Sequence, residues 1–339
     1  MRRPPAFWRH GVRSVWPALL APLGSAVAAV TARRIAQPGW RAPVPVICCG
    51  NVTVGGAGNT TLALDLAARL LARGVAVHIL LRGYGGTVAH RATPRQTNHG
   101  TPRGTHLVAP GDSASLVGDE ALLLAEIAPT WVGPDRASSA RAAVAAGAQA
   151  LVLDDGLQNP TLIKDLSLLV VDGGSGFGNG HVLPAGPLRE PVGAGAARCQ
   201  AAVLIGADET GALAQLPRGL PVLHARLAQG PELSGLAGEP VLAFAGIARP
   251  EKFFDGLQQA GVTVAARRSF PDHHPYSAGE IQDVLETARR LLATPVTTPK
   301  DAVRLPPALR HGIQVVGVRL VWDDDAAAIT RLLDAAIGR

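Results

Sequence analysis

The sequence predicts an α/β protein: a largely parallel sheet with helices on both faces, a second, smaller α/β subdomain, and an apolar helix at the amino terminus. Three observations lead there. From Pro43 onward, short apolar runs alternate with stretches of helical periodicity, the pattern of parallel strands joined by crossover helices. A glycine-rich turn at residues 50–58 separates one such run from a helical pattern, and residues 14–32 are nearly all apolar. At 339 residues and 47% hydrophobic, the chain can bury a large core and divide into about two domains. Disorder and a disulfide scaffold are excluded.

The first element is SVWPALLAPLGSAVAAVTA, between Arg13 and Arg33. It is marginal against the roughly 20 apolar residues of a bilayer span. Pro17 and Pro22 would bend it, and Trp8 and Trp16 with flanking arginines suit a membrane interface. Residues 1–40 therefore read as a membrane-associated helix on the cytoplasmic face. A cleaved signal peptide and a plain buried helix are the alternatives; a nucleotide loop following so closely argues against export. The net charge of +6 belongs to this end, because residues 1–64 carry seven arginines and no acid. The remainder is near neutral, which excludes a nucleic-acid groove and fits an anionic lipid surface. Cys48, Cys49 and Cys199 read as buried thiols in a reducing compartment.

A core domain follows over 41–228, with strands at 44–49, 75–81, 150–155, 167–172 and 201–206 and helices at 59–73, 118–128 and 136–147. Residues 85–112 lack periodicity and read as an exposed loop over the site. A second unit, 229–339, carries a strand at 241–247, helices at 250–260 and 278–292, a strand at 315–322 and a last helix at 324–337.

The chemistry concentrates in two places. GNVTVGGAGNTTLALDLAARL, residues 50–70, runs from a strand through a glycine-rich loop into a helix. In a P-loop the backbone N–H groups cradle phosphates, a lysine neutralises the β/γ oxygens and a Ser/Thr hydroxyl holds Mg²⁺. Thr53, Val54, Gly55, Gly56, Ala57, Gly58, Asn59 and Thr60 form the candidate cradle, with Thr60 at the Mg²⁺ position and Asn59 at the lysine position. ALVLDDGLQNP, 150–160, then sets Asp154 and Asp155 at the end of an apolar strand, where a metal-holding Asp belongs.

GNVTVGGAGNT, LRGYGG (81–86), VGDEALLLA (117–125), DDGLQNP (154–160), DGGSGFGNGHVLPAGPLREP (172–191), FAGIARPEKFF (244–254) and FPDHHPY (270–276) occur in this order. Together they resemble the tetraacyldisaccharide 4′-kinase family over nearly the whole chain. The resemblance implies ATP- and Mg²⁺-dependent phosphorylation of a lipid A disaccharide precursor at the cytoplasmic face of the inner membrane, with no protein partner. It implies Asp119 as the base, paired with His273, with His274 as the rival for that place. Thr60, Asp154, Asp155 and Gln158 fall where the family handles Mg²⁺ and phosphate, and Glu190 and Arg189 close the LREP motif near them. Arg82, Tyr84, Asn179 and Arg189, with His181, are the implied substrate contacts.

Two departures stand out. The family has Lys where this chain has Asn59, and Pro299 in TTPKD (297–301) replaces the family's Glu beside Lys300 and Asp301. Two other functions therefore stay open: a kinase-like lipid- or nucleotide-binding protein without turnover, and a metallochaperone-type NTPase.

Overall fold

A computed structural model describes residues 4–88, 104–236, 238–247 and 250–338. Helix α1, Trp16–Ile35, precedes the core elements β1 (Val46–Gly50), α2 (Asn59–Leu71), β2 (Val77–Leu81) and β3 (His106–Leu107). There follow α3 (Ala114–Val117), α4 (Asp119–Ala125), β4 (Thr130–Val132), α5 (Arg136–Ala145), β5 (Ala150–Asp154) and β6 (Leu166–Asp172). The first unit continues with α6 (Val192–Ala196), β7 (Ala201–Ile205) and β8 (Val222–Gln229). The second contains β9 (Pro240–Ala245), α7 (Pro250–Gln259), β10 (Thr263–Ser269), α8 (Ala278–Arg290), β11 (Thr294–Thr297), α9 (Pro299–Ala302) and β12 (Gln314–Val315). Strand β13 (Val318–Trp322) and helix α10 (Ala326–Ile337) end the chain.

Among the described residues the strands form two sheets, ordered β13-β8-β7-β6-β1-β5-β2-β4-β3 and β10-β9-β11-β12. The central strands β1, β5, β6 and β7 are parallel and buried on both faces, which is why they read as continuous apolar runs. Strand alternation sends Cys49 to one core with Leu62, Leu66 and Leu70 of α2, and Cys48 to the opposite core with Leu151, Leu153 and Phe177. The thiols are buried as expected, and burial pushes that of Cys48 up to about 12.

The end of the chain corrects the predicted second unit. The run at 315–322 is two strands: β12 joins the second sheet, and β13 pairs antiparallel with β8 at the edge of the first. Helix α10 follows it back, so Trp322, Ile329 and Leu333 share a core with Ile47 and Leu62. An apolar run shows that a strand exists, not which sheet edge it covers. The second unit therefore leaves and rejoins the core side by side, where the N–H of Gly230 donates to the carbonyl of Gly317 at 2.8 Å.

Other differences are local. The predicted helix 118–128 is the shorter α4, 119–125, set off from α3 before it by Gly118, which has a φ of 91° and whose added Cβ would lie 2.7 Å from the carbonyl oxygen of Tyr84. Strands β4, β8, β10 and β11 were not anticipated: β4 is three residues long and β10 is a half-exposed edge strand. Of the predicted loop 85–112, residues 89–103 lie outside the described residues, and β3 caps the sheet edge beyond them.

Helix α1 lies along the core rather than apart from it. Pro17 and Gly24 are buried, and a Cβ on Gly24 would sit 2.9 Å from the carbonyl oxygen of Val182. Trp16, Leu19, Leu23 and Val30 recur at helical spacing on the other side and are exposed.

Candidate active site

The carboxyl ends of the two sheets face each other, and the predicted residues gather between them in three groups. Such crevices are where open α/β sheets bind ligands.

The first group is the loop after β1. Asn51 is buried, and its side-chain amide donates to Thr53 Oγ1 at 3.0 Å and to the Gly55 carbonyl at 3.3 Å, shaping the turn. The Thr60 hydroxyl donates to Asp154 Oδ2 at 2.9 Å. Asp154 is 3% exposed, and its Oδ1 is buried without a hydrogen-bond partner among the described residues. Burial, then the charges of Glu120 and Asp155, hold this carboxyl well above the usual range. A lone buried carboxylate oxygen beside a P-loop threonine is what a divalent cation would satisfy, so Thr60 and Asp154 fit Mg²⁺.

The Thr53–Thr60 cradle is shorter than expected. The Val54 N–H donates to the Pro187 carbonyl at 2.8 Å, and Thr53 bridges Leu188 antiparallel, so the open backbone begins at Gly55. The strand-like pairing of 52–54 with 187–189 uses those groups.

The second group is a continuous chain of polar contacts. Asn59 Nδ2 donates to Asp155 Oδ1 at 3.4 Å, and Arg189 Nη1 donates to both Asp155 oxygens at 2.7 and 2.8 Å and to Gln158 Oε1 at 3.2 Å. Gln158 Nε2 donates to Glu190 Oε1 and to the Asn51 carbonyl, both at 2.8 Å, and Arg198 closes on Glu190 Oε1 at 2.7 Å. Gln158, expected at the metal, is instead a brace: its amide oxygen is held by Arg189. Glu190 is buried and neutralised by Arg198, a residue the sequence did not single out.

The third group crosses the cleft. Asp119 opens α4 and is 4% exposed. His273, in a left-handed conformation with φ 57°, donates from Nδ1 to Asp119 Oδ2 at 2.9 Å. Burial alone would raise the Asp119 carboxyl, but the His273 hydrogen bond and the charges of Lys300, His273 and Arg304 outweigh it and leave it low. The same hydrogen bond holds the His273 imidazole above its ordinary value, against its partial burial. His274 is not in this contact; it meets Glu280 at 2.9 Å.

Two pairs missed in the sequence support the crossing. Lys300 donates to Glu120 Oε1 at 2.8 Å. Buried Arg304 lies 3.8 Å from Asp119 Oδ2 and donates to Asp301 Oδ1 at 2.9 Å. Asp301 also accepts from Tyr276 at 2.6 Å and from the Gly246 N–H at 2.8 Å. Pro299 is the first residue of α9, capped by Thr298, a position where proline's missing N–H costs nothing.

Of the predicted substrate contacts, Arg82 and Tyr84 are exposed at the end of β2. Asn179 is a correction. Its amide donates to the carbonyls of Phe7 at 2.8 Å and Ala185 at 3.0 Å, and its oxygen accepts from the His181 N–H at 3.1 Å. It buckles the amino-terminal segment to the 177–188 loop, helped by Trp8 Nε1 on the Pro184 carbonyl at 3.1 Å.

A glycine-rich loop leading into a helix, a buried Asp on the adjacent strand and a carboxylate–imidazole pair across a cleft define a nucleotide-dependent phosphotransferase of the P-loop class. Comparison with known proteins then fixes the family. The family model for tetraacyldisaccharide-1-P 4′-kinase, LpxK, matches residues 16–337, and the chain belongs to that family. It is 58% identical to the tetraacyldisaccharide 4′-kinase of Gluconacetobacter diazotrophicus, covering 97% of each chain. It is 50% identical to that of Gluconobacter oxydans, covering 98% of each. The crystal structure of LpxK from Aquifex aeolicus in complex with ATP shares the fold, with a TM-score of 0.72 at 24% identity over 95% of this chain and 99% of that one.

Proposed function

We propose that the protein transfers the γ-phosphate of ATP to the 4′-hydroxyl of a tetraacyldisaccharide 1-phosphate lipid A precursor, working at the cytoplasmic face of the inner membrane. The observation that carries this reading is the Asp119–His273 contact across the cleft from Thr60 and Asp154, in a chain with near full-length 4′-kinase relatives. Gly55–Thr60 would receive the phosphates, and Thr60 and Asp154 would hold a Mg²⁺ whose charge would offset the charge developing on the phosphate. Asp119, ionised and fixed by His273, accepts the proton of the attacking hydroxyl. Lys300 and Arg304 keep that carboxylate charged and pointed into the cleft. The exposed apolar stripe of α1 faces the lipid.

Asn59 favours a second reading, a lipid- and nucleotide-binding protein without turnover. The metallochaperone alternative loses its basis, because the Cys48 and Cys49 side chains are buried on opposite faces of β1. Radiolabelled phosphate transfer to the lipid acceptor by wild type and Asn59→Lys, side by side in detergent, tests the kinase reading. Turnover by the wild type supports it; turnover only after Asn59→Lys supports the second reading.

A further inference from the structure

A P-loop needs a cation against the β/γ-phosphate oxygens, and this one has a neutral amide there. Asn59 is 8% exposed, and its amide oxygen is buried without a partner among the described residues, so the side chain brings no charge and is itself incompletely satisfied. We propose that Arg189 supplies the missing charge in this chain, contacting the transferring phosphate in place of the lysine. The inference rests on the kinase reading and deepens it.

Position is the first argument. Arg189 and Asn59 donate to the same carboxylate oxygen, Asp155 Oδ1, at 2.7 and 3.4 Å, which places the guanidinium beside the amide that replaced the lysine. Anchoring is the second. The Arg189 N–H donates to the Val52 carbonyl at 2.7 Å, so its backbone is stitched to the strand end from which the loop springs. The third is capacity: among the described residues its side-chain hydrogen bonds all use Nη1, leaving Nη2 and Nε to meet phosphate oxygens.

Arg189 is itself ion-paired, but to Asp155, the carboxylate that Asn59 also reaches, whereas the other neighbouring cations are held on groups that Asn59 does not touch. Arg198 holds Glu190, Lys300 holds Glu120, Arg304 holds Asp301, and buried Arg136 donates to the Gly133 carbonyl at 2.6 Å. Arg82 ends β2, which the sheet order separates from β1 by β5, whereas residues 187–189 pair directly with the loop.

The test is a double-mutant cycle of Asn59→Lys and Arg189→Gln, read by equilibrium binding of a fluorescent ATP analogue and by phosphate transfer, with Arg189→Lys as the charge-retaining control. Thermal melting verifies that each variant folds. Loss of a preorganised donor to a transferring group costs roughly 10²–10³-fold. We expect that loss in transfer for Arg189→Gln in the wild-type background, weaker ATP binding with it, and at least tenfold recovery of both when Asn59→Lys is added. Arg189→Lys should retain most of the binding. Equal losses from Arg189→Gln in the wild-type and Asn59→Lys backgrounds would overturn the inference. So would potassium ions stimulating the wild type but not Asn59→Lys, since a bound monovalent cation would then carry the charge. If no variant transfers phosphate, the kinase reading fails, and the binding cycle alone still decides whether Arg189 serves the nucleotide.

Discussion

His273 Nδ1 lies 2.9 Å from Asp119 Oδ2, joining residues 154 positions apart, one opening α4 and the other in the loop after β10. The contact pairs the more exposed imidazole with a buried carboxylate, so the second unit completes the environment of a group held by the first.

Asp119→Asn preserves shape and removes the proton acceptor. Its kcat for phosphate transfer should fall by about 10²–10⁴-fold with KM little changed, as expected for lost general-base catalysis. Steady-state kinetics with the lipid acceptor check this; an unchanged kcat removes Asp119 from the chemistry.

The same pair makes the joint between the units pH-dependent. Asp119 is depressed, so its contribution is present above its ordinary value of 3.8 and is lost as pH falls through the folded value. His273 is raised, so its contribution is complete below its ordinary value of 6.5 and is lost as pH rises through the folded value. The contact is at full strength between those limits. The melting-temperature gap between wild type and His273→Asn should be widest there and narrow at higher pH, as differential scanning calorimetry would record.

Asp154→Asn removes a charge from the Thr60 site and leaves its volume. The Mg²⁺ concentration for half-maximal transfer should rise about tenfold or more, the usual consequence of losing a carboxylate near a hard cation. A metal titration of initial rates reads the shift, and coincident curves would place the cation elsewhere.

Leu19→Asp with Leu23→Asp puts charge on the exposed stripe of α1 and leaves buried Pro17 and Gly24 alone. Each leucine withdrawn from lipid forfeits about 1.5–3 kcal/mol. Co-sedimentation with anionic vesicles should fall by more than an order of magnitude, while melting of the soluble protein stays as it was.

Asp301 is fully buried and accepts from Tyr276, Gly246 and Arg304. Replacing it with Asn takes from buried Arg304 its nearer carboxylate and leaves only Asp119, at 3.8 Å. Breaking such a pair costs about 3–5 kcal/mol, so Asp301→Asn should unfold at markedly lower urea concentration.

The parts legible in the sequence were those carried by local pattern. Apolar runs marked β1, β5, β6 and β7 because parallel strands are buried on both faces, and the P-loop spacing placed Thr60 opposite Asp154. The Asp119–His273 pairing came from family resemblance, because no periodicity relates residues so far apart. What stayed hidden depended on three-dimensional partners. Gln158 holds Arg189, Asn179 holds Phe7, and β13 returns to the first sheet; each follows from which backbone lies alongside, which a single chain does not spell out. Lys300 and Arg304 were hidden for the same reason, being cations whose partners sit on a helix of the other unit or within one turn of the chain.

The side-by-side exit and return at Gly230 and Gly317 makes the second unit an insertion in the topological sense. Truncating the gene at residue 228 would strip β13 and α10 from the core and expose the apolar surface they cover. Excising residues 231–316 would instead leave two neighbouring strands whose ends already meet, closable as a hairpin. The two halves are thus separable by internal deletion at one turn, and not by truncation at a single point.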